Sequence, residues 1–270
     1  MREIRQQVSA GKDQAVVYEL ESIVRRNPKD SEAWELLAKV YTDLDFNGNM
    51  TAKAFAAAEK AVEAAPNNST CLKALAEQHA RKGRFKEALA LLDKAAKQKV
   101  VDPFVYKSYA LILSETKRDK EAVVYWDKFA ARKDTANSNI VQMEAGALIY
   151  ARAGLTDKAV AIYDRMNVIA PSDTWVAKKA EAYALGGRTK EAIDVYSKMI
   201  VKQPDDEMAH LERARLYSKL GKDKEALSDM DAAIKEMPTS SVYLERAKIY
   251  EKLGNAKMAK RDREKAASPE

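Results

Sequence analysis

Hydrophobic and polar positions follow a helical period along most of the chain, in segments that come in pairs. From Glu207 to Pro238 the chain reads EMAHLERARLYSKLGKDKEALSDMDAAIKEMP, with apolar residues every three or four positions on both sides of Gly221. Glycine is typical just after a helix end, and proline cannot continue a helix. This segment therefore predicts two amphipathic α-helices joined by a tight turn.

Alanines mark each recurrence of this arrangement. A first alanine column recurs about every 34 residues, an interval typical of helical repeats. Its members are Ala54, Ala88, Ala122, Ala159, Ala192, Ala226 and Ala259. A second alanine column comprises Ala38, Ala76, Ala110, Ala147, Ala180, Ala214 and Ala247, each followed three positions later by a larger residue. A small residue beside a large one is what two closely crossing helices require.

The repeated unit resembles the tetratricopeptide repeat. The W…LA…Y…A…P pattern of that family is present as Trp34, Leu37, Ala38, Tyr41, Ala54 and Pro66. The resemblance implies an all-α, right-handed superhelical solenoid of about seven and a half helix-turn-helix repeats. We assign a partial repeat to residues 1–30 and full repeats to residues 31–68, 69–102, 103–139, 140–172, 173–206, 207–239 and 240–270.

The composition also favours an all-α fold, and the charge of the chain bears on which partners it could bind. A third of the residues (33%) are charged and only 7% are aromatic, as on a helical surface. The net charge of +6 comes from 47 basic and 41 acidic residues that are interleaved, so it does not require nucleic acid. The sequence contains no apolar run long enough to predict a membrane-spanning segment. We expect a cytoplasmic protein if Met1 is the native start, and a periplasmic one if a signal or anchor was removed.

Few residues could carry catalysis. Cys71, His79 and His210 stand at unrelated positions and build neither a zinc site nor a catalytic triad. We expect all three to be packing residues. The sequence therefore predicts a protein that is not an enzyme and has no cofactor.

The stretch DLDFNGNMT is the weak candidate for a metal site. Its D-x-D-x-N-G spacing is that of an EF-hand calcium loop. The candidate ligands are Asp43, Asp45, Asn47 and Asn49. However, Ala54 stands where the bidentate glutamate would be, so we favour an enlarged turn between the helices of the second repeat, with Thr51 capping the next helix.

The resemblance also implies a binding surface. In this family the first helix of each repeat lines a concave groove that binds protein or peptide ligands. The corresponding positions here are Glu35, Lys39, Lys73, Glu77, Phe104, Lys107, Leu111, Val141, Glu144, Leu148, Met208, Leu211 and Arg215. Our hypothesis is that an extended or helical peptide contacts the apolar members of the fourth and fifth repeats, while Lys107 and Arg215 fix its orientation. The alternative is that Phe104 and Val141 only fill the joint between adjacent helices.

Several identities of the partner remain open. An adaptor, a scaffold and a client-holding chaperone all fit, but the asparagine-containing clamp that grips heat-shock protein C-termini is not matched. Ala147–Met166 also resembles a pentatricopeptide repeat, whose arrays read RNA, although nucleic acid is the less favoured partner. Trp34–Leu92 is similar to periplasmic accessory factors that hold apocytochrome c. Self-association through the N-terminal half repeat is a further possibility.

Overall fold

The computed structural model describes residues 1–9, 13–45, 48, 50–132 and 139–267. Every regular element within these residues is an α-helix, which confirms the all-α fold class. The first unit, Met1–Ser138, contains α1 (Arg2–Ser9), α2 (Asp13–Arg26), α3 (Ser31–Asp43), α4 (Thr51–Ala64), α5 (Ser69–Arg81), α6 (Phe85–Ala96), α7 (Phe104–Glu115) and α8 (Asp119–Ala130). The second unit, Asn139–Glu270, contains α9 (Ile140–Arg152), α10 (Thr156–Ile169), α11 (Asp173–Leu185), α12 (Thr189–Lys202), α13 (Glu207–Lys219), α14 (Asp223–Glu236), α15 (Ser240–Lys252) and α16 (Ala256–Ala267).

Helices joined by short turns pack in pairs, and each pair packs on the next one within its unit. Both alanine columns lie in these contacts, since every member is at most 3% exposed. A larger side chain at such a position would push the helices apart. The regular alanines of the sequence therefore lie in buried contacts between the helices.

The turns inside the pairs depend on left-handed backbone. Gly83, Gly154, Gly187, Gly221 and Gly254 all have φ between 70° and 81°. This region costs glycine little because it has no Cβ. In the fourth repeat the same place is taken by Lys117, which adopts a φ of 61° without being a glycine.

The N-terminal partial repeat is a shortened helix pair. The segment REIRQQVS forms α1, whose Ile4 and Val8 are buried. These side chains join a core cluster with Val16 and Leu20 of α2 and with apolar residues of α3. A short first helix thus covers the apolar face of α2.

Two buried carboxylates brace the last helix pairs of the second unit. Asp229 accepts hydrogen bonds from Arg213 Nη2 (2.7 Å) and Nε (2.8 Å), and Asp262 accepts the equivalent pair from Arg246 at 2.7 and 2.8 Å. Asp229 is 4% exposed and Asp262 is fully buried. Bidentate arginine–carboxylate pairs of this kind are among the stronger polar interactions in proteins.

Candidate functional site

A groove of about 1100 Å³ lies in the first unit, along the first helices of its successive pairs. Side chains from α1, α3, α5 and α7 line it, together with Asp102 from the loop before α7. The predicted lining residues of this unit all face the groove: Glu35, Lys39, Lys73, Glu77, Phe104, Lys107 and Leu111. Repetition explains this placement, because each of these helices presents the same face to the groove.

An ion pair crosses the groove between α5 and the start of α7. Lys73 Nζ lies 3.0 Å from Asp102 Oδ2, with both side chains largely buried. Burial alone would lower the pKa of Lys73, but the carboxylates of Glu77 and Asp102 outweigh it and raise that pKa. Asp102 also accepts a hydrogen bond from the Phe104 amide at 2.9 Å, and its own backbone amide donates to Ser69 Oγ at 3.0 Å. Sequence reasoning missed Asp102, although a carboxylate just before a helix is a recognisable capping signal.

Glu35 is the most buried charged residue in the groove, at 8% exposure. Burial raises the pKa of its carboxyl group, and the nearby charges of Lys73 and Arg5 oppose that effect. Arg5 is itself bound to Glu32, with Nε 2.7 Å from Oε1. Within the part of the chain that the structure describes, the Glu35 carboxylate has no hydrogen bond or ion pair.

An apolar patch lies at the α7 side of the groove. Phe104 is 37% exposed and Leu111 is 39% exposed, while the inner side of the Phe104 ring packs on Phe129 with centroids 5.5 Å apart. The Nζ atoms of Lys73 and Lys107 lie 5.6 and 5.7 Å from the Phe104 ring centroid. Burial lowers the pKa of Lys107. Phe104 therefore both fills the joint between helices and shows a face to the groove.

The groove also contains polar pairs between neighbouring helices. Ser108 donates to Glu77 Oε1 at 2.5 Å, and Gln78 donates to Thr42 Oγ1 at 2.8 Å. Neither serine nor glutamine stood out in the sequence, since both are common on solvated helix faces. These contacts hold α3, α5 and α7 in register along the groove wall.

The predicted groove residues of the second unit differ in exposure. Val141 and Met208 are 69% and 49% exposed, Leu148 is 38% exposed and Glu144 is partly buried. Leu211 is only 4% exposed and belongs to a core cluster with Ala214 and Met230, so its prediction as a lining residue is wrong.

Arg215 is exposed, but its guanidinium already binds carboxylates of the same chain. Its Nη2 lies 2.6 Å from Glu245 Oε1 and its Nε lies 2.8 Å from Glu245 Oε2, and it also contacts Glu212. These carboxylates raise the pKa of Arg215. A guanidinium held in this way is not a free anchor for a ligand, which corrects the role that we expected for it.

The stretch DLDFNGNMT runs from the last residue of α3 to the first residue of α4, so it connects these two helices, as predicted. Asp45 accepts a hydrogen bond from the Met50 amide at 2.9 Å and another from the Thr51 hydroxyl. Thr51 is the first residue of α4, with Met50 at the cap position, so the prediction that Thr51 is the cap was wrong. Asn47 and Asn49 lie outside the described residues. Among those that are described, no three His, Cys, Asp or Glu side chains come together in a way that could hold a metal ion.

The cysteine and both histidines are packing residues. Cys71 is 1% exposed, and burial raises the pKa of its thiol to about 11. His79 packs edge-on against Phe55, with ring centroids 5.1 Å apart. His210 is held between Asp229 Oδ1 at 3.1 Å and the Pro204 carbonyl oxygen at 3.0 Å. None of the three faces the groove.

Of the helices in the described residues, none has both the length and the apolar character needed to cross a membrane.

Comparison with known proteins places these features in a family. Models of the tetratricopeptide repeat match residues 19–69 and 178–206, and a model of the PPR repeat matches residues 149–168. No curated protein matches the sequence. A tetratricopeptide repeat protein from Parabacteroides merdae ATCC 43184 superposes with a TM-score of 0.61 at 21% identity, over 87% of this chain and 92% of that one.

A chain of the APC/C hetero-tetramer Cut9-Hcn1 superposes with a TM-score of 0.57 at 14% identity, over 97% of this chain and 48% of that one. At such identities the likeness concerns the fold. The repeat pattern, the paired helices and the matching repeat models together show that the chain contains tetratricopeptide repeats and has the helical-repeat fold of tetratricopeptide repeat proteins.

Proposed function

We propose that this protein is a non-enzymatic interaction module that holds a polypeptide segment in the groove of its first unit. The observation that carries the proposal is the exposed face of Phe104 and Leu111 beside charged groups on the same groove wall. Apolar surface costs about 25 cal/mol per Å² while it stays in water, so covering it favours binding. Side chains of a bound segment would pack there, and the groove charges would select its sequence.

The test is the double substitution Phe104→Asp and Leu111→Asp in the full chain. Two carboxylates on the apolar patch should abolish binding to a library of synthetic peptides, while circular dichroism shows unchanged helicity. The matched control is Val100→Asp with Val124→Asp, because these valines are 80% and 54% exposed in the same unit but do not line the groove. Equal peptide binding by both double variants would refute the proposal.

RNA binding is a second candidate. The PPR model match over residues 149–168 and the net charge of +6 favour it. A single matching repeat would read about one base, and specific arrays need several. Retention of the protein on single-stranded RNA that weakens steeply between 50 and 200 mM salt would support this function, whereas no retention at either concentration would exclude it.

A further inference from the structure

The groove of the first unit contains a buried carboxylate that makes no direct contact with a cation among the described residues. Glu35 is 8% exposed, faces the groove and has no hydrogen bond or ion pair within the described ranges 1–9, 13–45, 48, 50–132 and 139–267. A buried ionised carboxylate without a partner is costly. A positively charged group placed in the groove would remove that cost.

The nearby cations are committed elsewhere. Lys73 is bound to Asp102 at 3.0 Å, and Arg5 is bound to Glu32 at 2.7 Å. Lys39 lies one turn further along α3, but it is exposed and forms no ion pair with Glu35. Glu35 is therefore left without a direct cationic partner in the described part of the chain, and the charges of Lys73 and Arg5 act on it only over a longer distance.

At the α7 end of the groove, the wall is apolar and carries a positive charge. Phe104 and Leu111 expose apolar surface there, and Lys107 lies over the Phe104 ring without a hydrogen bond or ion pair to a described carboxylate. Lys73 Nζ lies 5.6 Å from the Phe104 ring centroid, and its charge also acts on Glu35, so the carboxylate and the apolar patch both lie close to Lys73. One short peptide segment can therefore contact both.

We propose that Glu35 binds the lysine or arginine side chain of a polypeptide segment, and that an apolar side chain of the same segment packs on Phe104 and Leu111. This proposal rests on the function proposed above and names the class of segment that the groove selects. Lysine and arginine are suitable because their long apolar stems can pass along the groove while the charged end reaches a buried carboxylate. An acidic segment would instead bring a second negative charge to Glu35.

The experiment uses the full chain and a positional-scanning library of decapeptides with acetylated and amidated ends. The wild-type protein should enrich lysine or arginine at one position and an aromatic or aliphatic residue at another. Glu35→Gln should lose the basic preference but keep the apolar one, and the affinity for the selected peptide should fall about tenfold or more. Glu59→Gln, on the exposed face of α4 and outside the groove, is the matched control and should retain both preferences.

A double-mutant cycle separates direct contact from altered folding. Replacing the selected basic residue of the peptide with norleucine should weaken binding to the wild type as much as Glu35→Gln does. The same peptide change should cost nothing further with the Glu35→Gln protein. Additive losses would overturn the proposal, as would enrichment of acidic residues or an unchanged basic preference in Glu35→Gln, while leaving the proposed function intact. Failure to bind any library peptide would overturn both.

Discussion

At the scale of single residues, the groove contains a carboxylate that lowers the stability of the fold. Burial raises the pKa of Glu35 above its ordinary value of 4.5, so the folded state favours the protonated form more than the unfolded state does. The stability that protonation provides is complete below the unfolded pKa and is lost as pH rises through the folded pKa. At pH 7 the ionised Glu35 therefore destabilises the protein.

We expect Glu35→Gln to raise the free energy of unfolding at pH 7. The gain over wild type should be small near pH 4 and should grow until Glu35 is fully ionised, because glutamine carries no charge at any of these pH values. Urea denaturation of both proteins across this pH range measures it. A Glu35→Gln protein that is less stable at pH 7 would show that the carboxylate has a stabilising partner.

Lys117 has a strained backbone conformation. It adopts a φ of 61° where other repeats have glycine, and left-handed backbone costs a non-glycine residue about 1 kcal/mol or more. Lys117→Gly should therefore stabilise the protein by about 1 kcal/mol. The control is Lys82→Gly at the end of α5, where φ is −89°, and this substitution should destabilise. Urea denaturation midpoints that move in the same direction for both variants would contradict this account.

The residue scale also shows where sequence reasoning succeeds. Glycines and alanines were informative because their roles depend on local backbone and on one close contact, both of which the repeat fixes. The burial of Glu35 was not predictable, because Lys39 on the same helix face is exposed. Which of the two is covered depends on how α1 and α5 approach α3, and spacing along one helix does not specify that.

At the scale of helices, Gly186 at the end of α11 leaves no room for a side chain. An added Cβ there would lie 1.8 Å from Thr156 Oγ1 at the start of α10. The φ of Gly186 is −78°, so alanine would suit the backbone and only the space is lacking. Gly186→Ala should therefore destabilise the second unit by about 1–3 kcal/mol.

Thermal denaturation measures this loss, and the companion substitution Thr156→Ala tests its cause. Thr156 Cβ would still lie 3.0 Å from the new methyl group, so the double variant should recover most but not all of the stability. If the losses in the two single variants simply add, Thr156 is not the obstacle.

The buried carboxylate Asp229 connects three helices and gives a second prediction at this scale. It binds Arg213 and His210 of α13 from its place on α14, and Arg213 Nη1 reaches Ser197 of α12 at 2.9 Å. Asp229→Asn leaves the guanidinium without its counter-charge and should cost about 3 kcal/mol or more. The exposed pair Lys222–Glu225, at 3.8 Å, is the control, since Glu225→Gln should cost less than about 1 kcal/mol. Similar urea midpoints for both variants would contradict a bracing role for Asp229.

The helix pairs were predictable from the sequence. Which side chains on each helix face are buried by neighbouring helices was less predictable. Leu211 and Lys107 occupy equivalent positions in their repeats, yet the first is buried in the core and the second faces the groove. The hydroxyl of Thr51 was expected at a helix end and instead binds Asp45 across the inserted turn. In both cases the outcome depends on which neighbouring group is nearest in space.

At the scale of the whole molecule, the packing follows the order of the chain. Within each unit, the main helix contacts among the described residues join successive helices or the first helices of adjacent pairs, such as α3 with α5 and α5 with α7. Stability in such an array is approximately a sum of repeat terms and nearest-neighbour terms. This local character is why a repeat pattern alone predicts the fold class. It also means that damage to one repeat should spread only to its neighbours.

Hydrogen exchange of the Asp229→Asn variant tests this locality. Amide protection should fall most in α13 and α14, less in α12 and α15, and not measurably in α1 to α7, because protection reports the free energy of the local opening reaction. The Glu225→Gln variant should keep wild-type protection throughout. The Asp229→Asn variant should also bind the library-selected peptide with wild-type affinity, since all groove-lining residues lie in the first unit. A uniform loss of protection, or weaker peptide binding, would mean that the chain unfolds as one cooperative block, and the groove would then depend on repeats that contribute nothing to its walls.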